Sequence, residues 1–297
     1  PEATYDGWRA LVAGDGRSPA DLARADADGL RIEPLYADEH VAGLDPGWPG
    51  AAPFVRGASA LGTAVGGWEV RQAHRLHRVD GAGVAEAAQA VRADVEGGAT
   101  GLALALDRGA EAALEPVLAG VDLASVAVHS ELSDDGATAV AALEALWRAR
   151  GVAPGAAREG LGLDPLGRAG GDPSAARLSR LDDDLASAAR AAAALGARWP
   201  GAAGLVVDVR PHHDAGATPA MCAGIALSTG VAYLRALASE GLDVAALAAR
   251  LRFHWSLDAD VLGGAILLRA ARRTWARVLD ACGAAPAAGA MRCDVTT

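Results

Sequence analysis

The chain has 297 residues, with 27 basic against 37 acidic side chains and a formal charge of −10; 52% of it is hydrophobic and only 4% aromatic. Every Lys/Arg position is arginine, so Schiff-base chemistry and phosphate binding through a P-loop lysine are excluded. The acidic balance argues against a nucleic-acid partner, which needs a basic face.

Cys222, Cys282 and Cys293 are too scattered for a disulfide framework or a C-x-x-C metal site, and read as reduced thiols. The first residues, PEATYDGWRALVAGDG, lack the basic-then-apolar layout of a signal peptide. No uninterrupted apolar run reaches the ~18 residues of a membrane span. The expectation is a cytoplasmic protein with no membrane partner.

In chain order, residues 1–60 form an arm with a short amphipathic helix from Trp8 to Leu11, resumed at Pro19–Arg24, and then the turn-rich LDPGWPGAAPFVRG. Such glycine and proline density denies regular structure, so the arm must lie on something. From 61 to 297 apolar runs alternate with helical patterns. The runs are WEVRQ (68–72), TGLALAL (100–106), LASVAVHS (123–130), EGLGLDPLG (159–167), AGLVVDVR (203–210), RFHWS (252–256) and MRCDV (291–295). Helices are expected after residue 82, near 109–119, and over 135–150, 174–197, 217–240, 244–251 and 258–283, the one at 135–150 opened by Ser133-Asp134-Asp135. Strands followed by helices mean parallel βαβ units. The fold class is therefore α/β, a TIM-type (β/α)8 barrel, incomplete at its C-terminal end because it reaches only about strand seven, with an extended N-terminal arm. An open doubly wound sheet is disfavoured, since no G-x-G-x-x-G follows a strand. An unclosed barrel exposes two edges, so a chain completing it is an expected partner.

Barrels of this kind work at the C-terminal ends of their strands. PHHDAGAT (211–218) follows the strand AGLVVDVR, which makes His212, His213 and Asp214 the candidate catalytic residues, an acid/base pair with an aspartate that orients a histidine or caps the next helix. His129, Asp107 and His254 stand at other strand ends as coarse metal-ligand candidates, and no metal site is assigned. Ser130, Ser256 and Cys293 are nucleophile types at or near strand ends. His74 and His77, among Arg71, Arg75 and Arg78, make a basic cluster beyond the first strand.

Taken together, PLY (34–36), APFVRG (52–57), GGWEVRQ (66–72), the AGA of HHDAGA, and RFHWSLDADVLGGAILLRAARRTWARV (252–278) resemble the substrate-binding barrel of methylmalonyl-CoA mutase. GLGLDPLG and DVEGGATGLAL look like its small subunit, which pairs with a catalytic large one. The resemblance implies a barrel with an axial tunnel, an arm that wraps a partner subunit, and retained substrate-binding positions Arg71 and Gln72. It also shows losses. The tyrosine that follows Arg-Gln in catalytic members falls on Ala73. A tyrosine and an arginine of the family fall on Ser59 and Gly66, and second-strand serine and phenylalanine fall on Ala103 and Leu106. Fourth-strand threonine and glutamine fall on Leu161 and Leu163. The fifth-strand histidine falls on Pro211, with His212 one position off, and its glutamate on Asp214. Groups that grip a carboxylate and polarise a thioester are gone.

Asp38-Glu39-His40-Val41-Ala42-Gly43 matches the D-x-H-x-x-G of a cobalamin-binding loop, but LDPGWPGAAPF follows where a helix is required, so the match is coincidental. The resemblance thus implies no cofactor bound by this chain, no cobalamin-binding domain within it, and adenosylcobalamin on a partner. The function it implies is that of a non-catalytic small subunit, its barrel interior filled by side chains, supporting a catalytic large mutase subunit. The alternative is a repurposed, cobalamin-independent enzyme acting on an acyl thioester (an acyl-CoA ligand) or small acid through His212, His213 and Asp214.

Overall fold

A computed structural model describes residues 4–62, 64, 67–76, 81–107, 109–132, 137–157, 159–241, 244–284 and 290–296. The arm holds a helix at Tyr5–Gly14, capped by the Thr4 side chain, a single turn at Pro19–Leu22 and an antiparallel ribbon pairing Arg24–Ala25 with Arg31–Ile32. One turn at Asp38–Val41 follows. Beyond it come β1 (Arg71–Leu76), α1 (Gly81–Glu96), β2 (Gly101–Leu106), β3 (Ala127–Leu132), α2 (Ala137–Ala149) and β4 (Glu159–Leu163). Then come α3 (Pro165–Gly171), α4 (Leu181–Arg198), β5 (Ala202–Asp208), α5 (Arg210–Asp214), α6 (Pro219–Ala238), β6 (Leu251–Ser256), α7 (Val261–Ala281) and β7 (Cys293–Thr296).

The seven strands form one parallel sheet in chain order, β1 to β7. The sheet curls like a barrel wall. Arg71 on β1 and Asp294 on β7, the two ends of the strand order, form an ion pair at 3.0 Å. This is the incomplete α/β barrel that the alternation of runs predicts.

Two strands start three or four residues later than the sequence pattern suggests. The first runs from Arg71, because Trp68 is 77% exposed with no neighbour to reward its β propensity. Past residue 72, His74 reaches Asp94 of α1 at 2.9 Å and Leu76 enters the core. The third runs from Ala127, because Asp122 folds residues 122–126 into a turn. Its carboxylate accepts from Ala124 N at 3.0 Å and from the Ser125 hydroxyl at 2.6 Å. The helix expected near 109–119 is a 3₁₀ turn at Glu111–Ala113 and one α turn at Leu114–Val117, a length consistent with Pro116 inside it. The segment 174–197 is split into Ala175–Leu178 and α4. The cap expected at Ser133-Asp134-Asp135 lies outside the described residues.

Period-2 alternation sorts the strands. Leu102, Leu104, Leu161, Leu163, Leu205, Val207, Phe253 and Trp255 join the core between sheet and helices. The leucines therefore face the helices and not the barrel interior. Helix α6 is long and apolar enough, by length and composition, to cross a membrane, but here it packs on β5, α4 and α7 and buries Cys222, Ala226, Gly230, Tyr233, Leu234 and Leu237.

The arm is tied to this layer at Asp28, which accepts from the Thr218 hydroxyl and, at 2.9 Å, from Ala220 N at the start of α6. Asp28→Ala is expected to cost about 1 kcal/mol, the worth of a helix-capping carboxylate, and to speed proteolytic cleavage between residues 23 and 60 without cleavage of the sheet. Limited proteolysis read by mass spectrometry checks both parts.

Candidate functional site

The interior face of the curled sheet is polar. At its N-terminal end Arg252 of β6 makes a bidentate pair with Asp294, which also meets Arg71, itself paired with Glu69. Burial works against the charge on Asp294, but Arg252 and then Arg71 overcome it and hold the carboxyl below the usual range. For Arg252 the balance is reversed, since burial outweighs its aspartate and lowers its pKa. Two guanidinium groups crossing to one carboxylate put an ionic floor across the barrel axis.

Above the floor lies a cavity of about 230 Å³, lined by His129, Glu131, Gly162, Asp164, Asp208, Arg210 and His254 among others. It opens at the C-terminal ends of β3 to β6. Arg210 spans it, with Nη2 at 2.8 Å from Glu131 Oε1 and 2.7 Å from Asp208 Oδ2, and Nε at 2.9 Å from Asp208 Oδ1. Burial opposes its charge, but these two carboxylates raise its pKa. Asp164 caps α3 through Gly167 N and accepts from the Tyr233 hydroxyl and Asp208 N. Burial pushes its carboxyl upward despite those bonds.

His129 is fully buried and neither ring nitrogen has a hydrogen-bond partner. Burial first, then Arg252 and Arg71, hold it well below the ordinary histidine range, so the ring is neutral. Burial and Arg210 lower His254 as well; its Nε2 lies 2.9 Å from Thr296 Oγ1. Among the described residues no group of three His, Cys, Asp or Glu is placed to hold a metal ion.

The residues singled out by sequence fall around this site unevenly. His212, His213 and Asp214 sit on α5, half-buried or exposed, and none lines the cavity; their neighbours Arg210 and Pro211 do. Arg71 and Gln72 part company, because consecutive strand residues face opposite ways. Arg71 points to the floor, whereas Gln72 is exposed outside the network. His129 and His254 are brought together, while Asp107 does not line the cavity. The basic cluster near residue 75 is divided, with His74 on Asp94, Arg71 in the interior, and His77 and Arg78 outside the described residues. Glu131, Asp208 and Arg210 went unnoticed in the sequence. The signal for Asp208 and Arg210 was alternation, for in LVVDVR the apolar Leu205, Val207 and Val209 alternate with them, as Leu251, Phe253 and Trp255 do with Arg252 and His254 in LRFHWS.

The residues at 38–43 do not fit a cobalamin loop. His40 sits in a single helical turn, its Nδ1 accepts from Ala37 N at 3.0 Å, and its ring packs against Tyr5 and Tyr36.

Sequence comparison places this geometry. The methylmalonyl-CoA mutase family model matches residues 25–144 and 111–297, two overlapping stretches covering nearly the whole chain. The chain belongs to the methylmalonyl-CoA mutase family. It is 41% identical, over 98% of its length and 47% of the relative's, to the methylmalonyl-CoA mutase small subunit of Streptomyces virginiae. Against the small subunit of Propionibacterium freudenreichii subsp. shermanii the identity is 29%, covering 94% of this chain and 44% of the relative. Against the large subunit of Streptomyces virginiae it is 28%, covering 94% and 41%. The chain thus spans less than half the length of these relatives, and it is small-subunit-like within the family.

Proposed function

We propose that this chain is the barrel portion of a non-catalytic small subunit, held beside a catalytic large mutase subunit that carries adenosylcobalamin and interconverts methylmalonyl-CoA and succinyl-CoA. The observation that carries the reading is the contrast between two relatives from one organism, 41% identity to the small subunit against 28% to the large one. The interior supports it. Ala73, Ala103 and Gly162 stand on the strands, while the strongest polar groups are spent on one another through Arg210 and Asp294. A cavity of about 230 Å³ has room for a small acid rather than for a coenzyme A thioester. Trp48 of the arm and Trp68 just before β1, 78% and 77% exposed, offer the large subunit an apolar surface. A cytoplasmic setting fits the three free cysteines.

Co-expression with the large subunit is the test. The chain is expected to co-purify with it at one to one, and on its own to turn over no methylmalonyl-CoA with added adenosylcobalamin. Turnover by the isolated chain, or elution apart from the large subunit, overturns the reading.

A further inference from the structure

Helix α7 buries Leu267, Ala271, Trp275 and Leu279 against the core. Its opposite face carries Leu262, Ile266, Arg269, Arg273 and Arg277, all exposed. Their spacing of three or four residues keeps them in one row along the helix, about 22 Å long at a rise of about 1.5 Å per residue. Solvent alone does not account for this row. Leu262 and Ile266 are 76% and 66% exposed, on a face where a helix turned to water carries polar groups. The chain holds 37 acidic side chains, yet Arg269, Arg273 and Arg277 enter no ion pair among the described residues. At four-residue spacing their charges repel one another. The helix dipole does not offset this, because its field fades within the last turn and the three arginines precede that turn.

The aliphatic end of the row lies at the rim of the barrel, since α7 begins where β6 ends. Helix α6 packs against α7 and begins at the same rim, with Met221 exposed in its first turn. Asp28 of the arm accepts from Ala220 N, one residue before Met221. The apolar rim thus adjoins the arm, the segment assigned above to the large subunit.

We infer that this face of α7 is a second contact with the large subunit, which lays an acidic amphipathic helix along it. Aliphatic side chains of that helix cover Leu262 and Ile266, and its aspartates or glutamates meet Arg269, Arg273 and Arg277. The inference rests on the small-subunit reading. A helix is the shape that fits, because two helices pack along straight ridges of this kind, and carboxylates three or four residues apart meet the arginines one for one. A second copy of the chain or an anionic membrane fits worse, since either approaches against the chain's own charge of −10.

The test measures the affinity of the full chain for the purified large subunit over a range of salt. For the unmodified chain the affinity is expected to fall about tenfold between about 0.05 and about 0.5 M salt, as the exposed charges are screened. Arg269→Glu, Arg273→Glu and Arg277→Glu together are expected to weaken pairing about a hundredfold and to reverse the salt dependence. The same three positions changed to lysine should stay within about tenfold of the unmodified chain. Leu262→Ser with Ile266→Ser is expected to weaken pairing about tenfold at every salt concentration. All five side chains are exposed, and circular dichroism checks that each variant keeps its helix content. A triple glutamate variant that pairs as tightly as the unmodified chain, or an unmodified pair indifferent to salt, overturns the inference and leaves the small-subunit reading standing. Failure of the unmodified chain to pair overturns both. Self-association of the chain alone, or its capture by phosphatidylglycerol vesicles, gives the face to a second copy or to a membrane when the triple glutamate variant abolishes it, and overturns the inference as well.

Discussion

Asp294→Ala is expected to lower the free energy of unfolding by about 3–5 kcal/mol, because it breaks the buried ion pair with Arg252 and removes one partner of Arg71. The three side chains are 10%, 8% and 15% exposed, so water replaces little of what is lost. Arg71 keeps Glu69. The effect reaches across the sheet, since Arg71–Asp294 ties β1 to β7. Loss of the bond should loosen both ends of the strand order, and hydrogen exchange is expected to quicken in β1 and β7 before β4.

The pH dependence has a definite sign. The folded state holds the Asp294 carboxyl below its ordinary value of 3.8. A carboxyl depressed in the folded state contributes its stability in full above the unfolded value and loses it as the pH falls further. The gap between the unmodified chain and Asp294→Ala should therefore be constant from neutral pH to about pH 5 and should narrow below about pH 4. Urea unfolding at a series of pH values measures it; a gap that stays open in acid shows that the variant lost packing rather than an ion pair.

The sheet was legible because its signals are local. Seven apolar runs correspond to the seven strands, and α1 sits where alanine-rich 3.6 periodicity places it. The register at the strand ends was less so. Trp68 has strand propensity but no partner, and Asp122 spends residues 122–126 on a turn. The site was the least legible part. Asp294 and Arg71 are far apart in the chain, and nothing in MRCDV says that its aspartate will meet the first strand. The adjacent histidines 212 and 213 drew attention by rarity, yet a short helix carries them off the cavity wall. Position within the strand pleat was the better guide. His129 and Glu131 are two residues apart on β3, as are Arg252 and His254 on β6, and Asp208 and Arg210 are two apart across the end of β5. The three pairs reach the interior.

Trp275→Ala is expected to cost about 3–5 kcal/mol, the usual price of emptying an aromatic site in a core. Trp275 on α7 is 1% exposed and meets Phe253 of β6 edge-on, the ring centroids 4.9 Å apart and the planes at 68°. It fits because α6 presents Gly230, where a Cβ would lie 2.8 Å from Trp275 Cζ3 and 3.1 Å from Phe253 Cζ. Tryptophan and glycine are thus a matched pair, and their substitutions should not add. In the unmodified chain Gly230→Ala is expected to destabilise by about 1–3 kcal/mol through overpacking. With Trp275 already alanine the clash with its ring is gone, and the same change should recover up to about 1 kcal/mol from helix propensity. A thermal-unfolding double-mutant cycle reads this reversal of sign. An additive cycle would mean that α6 and α7 do not meet at this point. The same packing backs β6, which carries Arg252 and His254 inward, so Trp275→Ala should also loosen the cavity wall; faster amide exchange at residues 252–254 is the accompanying sign.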